Sequence, residues 1–255
     1  MLLRQHVCFL AWFLAVYLAP YAFCEGEQFS FNEFRSGIVH VGQSETVEQG
    51  NQVSWFGTGF LVDGRCTFVT AKHIFRNANR DHVVVRFQLP QNKNRIRTLP
   101  AKIIFEDPGN DLAFLRIDRF NNQLCGSSKL HTFKFLSTNG SQNLIGEEVL
   151  IIGYPRLTQT NENIDIPVIR KGILASTEIN LNAQSMLLLD LPGVPGFSGS
   201  PVVLEKTGEV IGVVFGPGPT KREAAFEWAT PISKENYHEA LKSIEQNSSN
   251  PSRDE

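Results

Sequence analysis

Between residues 37 and 215 the apolar positions fall into short runs bounded by Gly, Asn, Asp or Pro, with no sustained 3.6-residue repeat. Short apolar runs closed by turn residues are the signature of strands, so the chain reads as all-β. The expected strands cover residues 37–41, 57–62, 67–70, 83–87, 99–104, 112–117, 149–152, 168–174, 186–189, 201–204 and 210–215. A more polar passage over 121–143, with Gly126, Ser127, Ser128, Asn139, Gly140 and Ser141, divides this run into comparable halves. It reads as an interdomain crossing or, alternatively, as a long surface loop inside one domain. After Pro231 the pattern changes: Ser233 can cap a helix over about 234–245 that places Tyr237, Leu241 and Ile244 at i, i+4 and i+7. The polar residues 246–255 are expected to form a frayed tail.

The N-terminus departs from this pattern. Arg4 and His6 precede an apolar stretch over 7–18, followed by Pro20 and small residues at Ala22 and Cys24. This arrangement predicts a secretory signal peptide over 1–24, cleaved before Glu25, because the stretch is too short to cross a bilayer as an anchor. A retained anchor is the alternative. The expected location is therefore exported, periplasmic or secreted, with no stable membrane anchor after signal removal. Cys8 and Cys24 leave with that segment, and the remaining Cys66 and Cys125 either pair or persist as two buried thiols.

Composition excludes several classes. The 255 residues are 42% hydrophobic and 20% charged, which suits one large core or two smaller ones and not a disordered chain. A formal net charge of -2 without blocks of like charge carries no footprint for nucleic acid. No Cys-x-x-Cys or His-x-x-x-His spacing occurs, so neither a metal nor another cofactor is expected.

The candidate chemistry centres on Gly196-Phe197-Ser198-Gly199-Ser200-Pro201. A serine hydroxyl is a weak nucleophile at neutral pH, so hydrolysis through it needs an adjacent base and preplaced donors for the oxyanion. Glycine at 196 permits a backbone turn that aims its N–H at an acyl oxygen, and the Ser198 N–H supplies a second donor. His73 follows the apolar run Phe68-Val69-Thr70-Ala71, where a strand ends at a cleft. Asp111 opens Asp111-Leu112-Ala113-Phe114-Leu115, which puts a carboxylate just before a strand. Taken singly, each has an ordinary alternative: a turn serine, a half-buried histidine, a strand-start aspartate.

Together these blocks resemble the chymotrypsin-like serine peptidases, and more closely the bacterial Deg-like and related trypsin-like peptidase domains. The resemblance runs from Gly37 to Ile232 and includes Gly57-Thr58-Gly59-Phe60-Leu61-Val62, Gly153-Tyr154-Pro155, Arg170-Lys171-Gly172-Ile173-Leu174, Ile211-Gly212-Val213-Val214 and Ala229-Thr230-Pro231-Ile232, in that order. It implies two six-stranded antiparallel β-barrels, over about 37–120 and 144–232, with a C-terminal helix. It also implies a serine endopeptidase acting on protein or peptide substrates through the triad His73, Asp111 and Ser198. Gly196 and Ser198 would form the oxyanion hole. Leu191, Pro192, Val213, Val214, Phe215 and Gly216 would form the substrate pocket, whose apolar lining favours an uncharged side chain before the cut bond. A carboxylate of Asp190 at the pocket floor would instead select Lys or Arg, although a structural capping role is the other option. No PDZ module is expected after residue 232.

Two departures carry consequences. Phe197 stands where zymogen-activated trypsins carry Asp, so the superficial activation-site likeness of Gly37-Ile38-Val39 implies no cleavage there. The prolines of Phe215-Gly216-Pro217-Gly218-Pro219 remove N–H donors from the substrate strand. Phe197 also keeps a catalytically silent, peptide-binding relative of the same fold as the alternative. An α/β-hydrolase is disfavoured by chain order, since only His238 and Asp254 follow the serine and Ser200 occupies the last glycine of its motif.

Overall fold

The apolar runs fold as strands and assemble into two β units packed side by side, closed at one end by a helix. The computed structural model describes residues 31–47, 50–88, 96–117, 125, 130–138, 144–156, 166–181, 184–217 and 225–249. The expected signal peptide and the last residues of the tail lie outside the described residues.

The first unit follows a short helix, α1 (Phe31–Ser36), and contains β1 (Ile38–Val47), β2 (Gly50–Leu61), β3 (Thr67–Ala71), β4 (Val83–Gln88), β5 (Ile96–Pro100), β6 (Lys102–Glu106) and β7 (Leu112–Arg116). These form a seven-stranded sheet in the order β5-β4-β1-β2-β3-β7-β6. Its two edge strands are the halves of one run of chain, separated by Ala101 alone. β5 pairs with β4, Val84 opposite Pro100, and β6 pairs with β7, Lys102 opposite Arg116. The expected strand over 99–104 therefore turns a corner, and the sheet rolls up on itself there. Pro100 has no N–H to extend the ladder, and the Ala101 N–H turns to the Val83 carbonyl at 2.9 Å. Where a closed six-stranded barrel was expected, the first unit is thus a seven-stranded half-barrel sheet, because one expected strand is bent into two that pair with different neighbours.

The second unit contains β8 (Glu148–Gly153), β9 (Val168–Leu181), β10 (Gln184–Leu189), β11 (Pro201–Leu204), β12 (Val210–Pro217) and β13 (Glu227–Pro231). It closes as a barrel in the order β10-β13-β12-β11-β8-β9. β13 escapes the apolar pattern because Glu227 and Thr230 interrupt it, yet both are buried and the strand pairs with β10 and β12 to complete the ring. The β1–β2 hairpin and β9 extend beyond the expected runs. Their outer residues, such as Gln43, Ser44, Gln52 and Ser54, are polar and carry no alternation, but the ladder continues through them.

Apolar side chains fill the interior of each unit. One cluster holds Val41, Leu61, Phe68, Val85 and Leu115, and another holds Val149, Leu174, Leu189, Val202 and Val214. A third cluster lies between the units and joins Phe60, Phe114, Ile152, Tyr154 and Val210 to Tyr237 and Ile244 of α2 (Lys234–Ser249). The segment 130–138 crosses through this third cluster. Its Phe133 N–H bonds to the Leu61 carbonyl at 2.9 Å and its Leu136 N–H to the Val210 carbonyl at 3.0 Å, so this part of the crossing is strapped to both units. Helix α2 runs past the expected residue 245 to Ser249. Cys66 and Cys125 form a disulfide, with Cα atoms 5.3 Å apart, tying the β2–β3 corner to the chain leaving the first unit.

Candidate active site

Pairing of β3 with β7 sets Ala71 opposite Leu112, so the end of one strand lies beside the start of the other. His73 sits just past that end, in a 3-10 turn over Lys72–Phe75, and Asp111 sits just before that start. The Asp111 carboxylate grips His73 at two points. Oδ1 accepts the backbone N–H at 2.8 Å, and Oδ2 lies 2.6 Å from Nδ1. A carboxylate only accepts, so the bonded Nδ1 carries the proton in the neutral ring and Nε2 is left as an acceptor. Asp111 itself is held by its hairpin: Asp107 Oδ1 accepts the N–H groups of Gly109 and Asn110 at 2.8 and 3.0 Å, and the Asp111 carbonyl accepts the Lys72 N–H at 3.1 Å. The Asp111 side chain is 7% exposed and the His73 side chain 22%, which leaves the imidazole a face toward solvent.

Ser198 comes from the second barrel, on the turn before β11. Gly196 has φ of +95°, and a Cβ there would lie 2.4 Å from the Tyr154 carbonyl oxygen, so only glycine fits this close approach. The first unit stitches the turn in place through Thr58. Its N–H donates to the Ser198 carbonyl at 2.8 Å and its Oγ1 donates to the Gly196 carbonyl at 3.0 Å, while accepting the Tyr154 N–H at 2.9 Å. Thr70 Oγ1 in turn donates to the Thr58 carbonyl at 2.6 Å. Phe197, the residue beside the nucleophile candidate, is buried in the second barrel's core, so its ring anchors the turn from below.

The Ser198 hydroxyl donates to the Phe215 carbonyl at 3.1 Å, and no hydrogen bond joins it to His73 among the described residues. That carbonyl is available because the β12–β13 register slips between Val214 and Gly216, leaving Phe215 without an opposite residue. The Phe215 ring also lies 5.1 Å from the His73 ring, so Phe215 touches both residues. The remaining pocket candidates separate. Leu191, Val213 and Val214 are buried in the core clusters and could offer a pocket only their backbone, whereas Pro192 is exposed and Phe215 half-buried. Asp190 is exposed at the end of β10.

Three residues without an assigned role in the sequence lie against the turn: Thr58, Arg170 and Glu227. Glu227 Oε2 accepts the Val194 N–H at 3.2 Å and lies 3.4 Å from Arg170 Nη1. Arg170 Nη2 donates to the Pro192 carbonyl. Burial pushes the Glu227 carboxyl up to about 7, against the opposing pull of the Val194 N–H and the Arg170 charge. A glutamate inside an apolar stretch was the visible signal for such a site, but its partner is distant in sequence. No group of three or more His, Cys, Asp or Glu among the described residues could hold a metal ion.

A family model for the trypsin-like peptidase domain matches residues 57–213. The chain is 30% identical over 178 residues to the mitochondrial serine protease HTRA2 of Drosophila ananassae, covering 69% of this chain and 36% of that protein. It is likewise 30% identical over 159 residues to the chloroplastic Protease Do-like 1 of Arabidopsis thaliana, covering 62% of this chain and 32% of that protein. Among solved structures, the HtrA-type protease AlgW with decapeptide is similar in fold, with a TM-score of 0.63 at 19% identity over 84% of this chain and 66% of that one. The chain spans between 21% and 36% of the length of the curated relatives named here and of the Sinorhizobium fredii protein y4bJ. No helix among the described residues is long and apolar enough to cross a membrane. With a fold of one closed barrel beside a half-barrel sheet and a family match whose span takes in His73, Asp111 and Ser198 alike, this chain belongs to the trypsin-like peptidase domain family.

Proposed function

We propose that this protein is an exported serine endopeptidase that cleaves peptide bonds through an acyl-enzyme. The observation that carries this reading is the two-point grip of Asp111 on His73, which holds the imidazole with Nε2 free to act as a base. In the reaction, Ser198 Oγ attacks the peptide carbonyl carbon while His73 Nε2 takes its proton. The C–N bond then breaks as His73 returns that proton to the leaving amine. Water attacks the resulting ester in the same way, with His73 again accepting the proton and passing it to Ser198 Oγ as the acid is released. Asp111 stays ionised and balances the imidazolium.

The Gly196 and Ser198 N–H groups serve as the oxyanion donors. Neither makes a hydrogen bond to another backbone group outside the strand ladders among the described residues, which supports that role. The peptide runs along Phe215, which the slipped register leaves without an opposite residue, and the neighbouring Gly216. Peptide ligands are named for the similar AlgW structures, one with a decapeptide and one with a tripeptide, in keeping with that substrate class. Activation needs no cut before Ile38. That residue is fully buried within β1, paired with Phe60, and Phe197 fills the place of a charge that a new N-terminus would seek. The Cys66–Cys125 bridge supports an oxidising, exported location.

One observation favours the catalytically silent, peptide-binding alternative: the Ser198 hydroxyl is turned to the Phe215 carbonyl. Rotation about its χ1 redirects it, and catalytic hydrogen bonds commonly tighten only on substrate binding. A fluorophosphonate probe separates the two. Labelling of the mature protein that disappears in Ser198→Ala is the expected result; a folded wild type that stays unlabelled from pH 6 to 9 assigns the silent role.

A further inference from the structure

The loop 191–197, which ends on Gly196 and Phe197, is held from behind by one part-buried ion pair, Arg170 with the fully buried Glu227. We propose that Arg170 and Glu227 are positioning residues that set the oxyanion donor of Gly196 by clamping this loop, an inference that rests on the serine peptidase assignment above.

The two side chains come from β9 and β13, which flank β10 in the barrel; Leu189 of β10 pairs with Glu227 on one side and Leu174 on the other. They reach the loop at separate points. Arg170 Nη2 donates to the Pro192 carbonyl, and Glu227 Oε2 accepts the Val194 N–H. The Arg170 guanidinium also lies 5.3 Å from the Phe197 ring centroid, directly before the nucleophile. Further along, the Arg156 N–H holds the Pro195 carbonyl at 2.8 Å, whereas the loop's own bond from the Phe197 N–H to the Val194 carbonyl is long at 3.4 Å. The loop's internal hydrogen bonding is therefore weak, and its shape depends on these outside contacts.

A purely structural role fits the pair poorly. Glu227 is fully buried, its Oε1 has no hydrogen-bond partner, and a buried ion pair of imperfect geometry is often matched or bettered in stability by apolar residues of similar size. What an apolar pair cannot supply is the directed hold on the Pro192 carbonyl and the Val194 N–H. The clamp also carries a pH dependence. Arg170 on β9 is the charged group that faces Glu227. β10 contributes the apolar Leu189, the loop contributes Pro192 and Val194, and Asp190 is turned to solvent. The Glu227 carboxyl is raised to about 7, so above that pH it is ionised and engages Arg170, and below it the ion pair is lost.

The test measures second-order fluorophosphonate labelling of Ser198 from pH 5.5 to 9 in wild type, Glu227→Gln, Arg170→Gln and the double variant. Each single change is expected to slow labelling at pH 8.5 by roughly tenfold or more, a fraction of the 10²–10³ that loss of an entire oxyanion donor costs. The double variant should be no slower than the worse single one, because the pair acts as a unit. Between pH 8.5 and 5.5 wild type should lose about tenfold more labelling rate than Glu227→Gln, because only wild type loses the ion pair as pH falls through about 7. Hydrogen exchange of the peptide spanning 191–197 should quicken in Glu227→Gln while the strands of both barrels keep their protection. If the polar variants fail to fold, Arg170→Met with Glu227→Met keeps the volume apolar and is expected to be folded and slow. A labelled wild type whose Glu227→Gln variant labels within about twofold, with a parallel pH profile, overturns the clamp and leaves the peptidase assignment standing. An unlabelled wild type overturns both.

Discussion

Acid should weaken this fold through His40. Its ring stacks on Trp55, 4.5 Å away, and on Tyr154, 4.6 Å away and almost parallel, and the Arg86 guanidinium lies 4.1 Å from the Trp55 ring centroid. The layer joins the first barrel to Tyr154, whose carbonyl abuts Gly196. Burial first, and the Arg86 charge second, lower the His40 pKa from 6.5 to about 3. The folded chain therefore keeps this imidazole neutral while the unfolded chain protonates it below 6.5. The stabilising effect is present above 6.5 and drains away as pH falls toward 3. Between pH 7.5 and 4.5 the unfolded state gains about 2.3RT per pH unit below 6.5, or about 3 kcal/mol in total. His131, lowered to about 4 by burial and Lys134, acts in the same direction, so wild type alone does not isolate the effect. His40→Phe does. It keeps a ring in the stack and removes the proton site, and any constant packing cost cancels between the two pH values. Urea unfolding of both proteins at pH 7.5 and 4.5 should show the variant losing about 3 kcal/mol less than wild type. A pH-dependent difference below about 1 kcal/mol would refute the assignment of a neutral, desolvated His40.

Removing the disulfide with Cys66→Ser and Cys125→Ser reopens a 59-residue separation and is expected to cost about 4 kcal/mol on the loop-entropy model, read from urea unfolding midpoints; a loss under about 1 kcal/mol would mean the crossing is held by Phe133 and Leu136 alone. Asp111→Asn should slow fluorophosphonate labelling by up to about 10⁴, since the amide no longer fixes the Nδ1–H tautomer. Labelling within about threefold of wild type would remove Asp111 from the triad.

Much of the fold was legible because its signals are local. β3 and β11 are buried along their whole length, β11 as a continuous apolar run and β3 as one broken only by Thr67 and Thr70, and Ser233 marks the start of α2. β13 was hidden because Glu227 and Thr230 look like loop residues until their partners are known. The outer parts of the β1–β2 hairpin were hidden because both faces there lie away from the cores. At the candidate site, His73, Asp111 and Ser198 each lie beside a strand terminus with turn residues next to them, and it was the resemblance to the trypsin-like peptidases that set them together. Thr58 does not. A threonine between two glycines carries no sign that its N–H and Oγ1 will hold a turn 138 residues away.

By itself the sequence determined the mostly β class and the glycine at 196, since apolar patterning and backbone permissiveness are properties of neighbouring residues, while the division into two β units and the grouping of His73, Asp111 and Ser198 rested on its resemblance to the trypsin-like peptidases. Only the tertiary structure decided that Cys66 meets Cys125, that the strand ending at Pro100 turns a corner, and that the carboxylate behind the loop is Glu227 while Asp190 faces solvent. It also decided that Ser198 Oγ rests on Phe215. Each of these depends on the separation of residues remote in the chain, and ladder register and core packing set that separation to within the reach of a hydrogen bond.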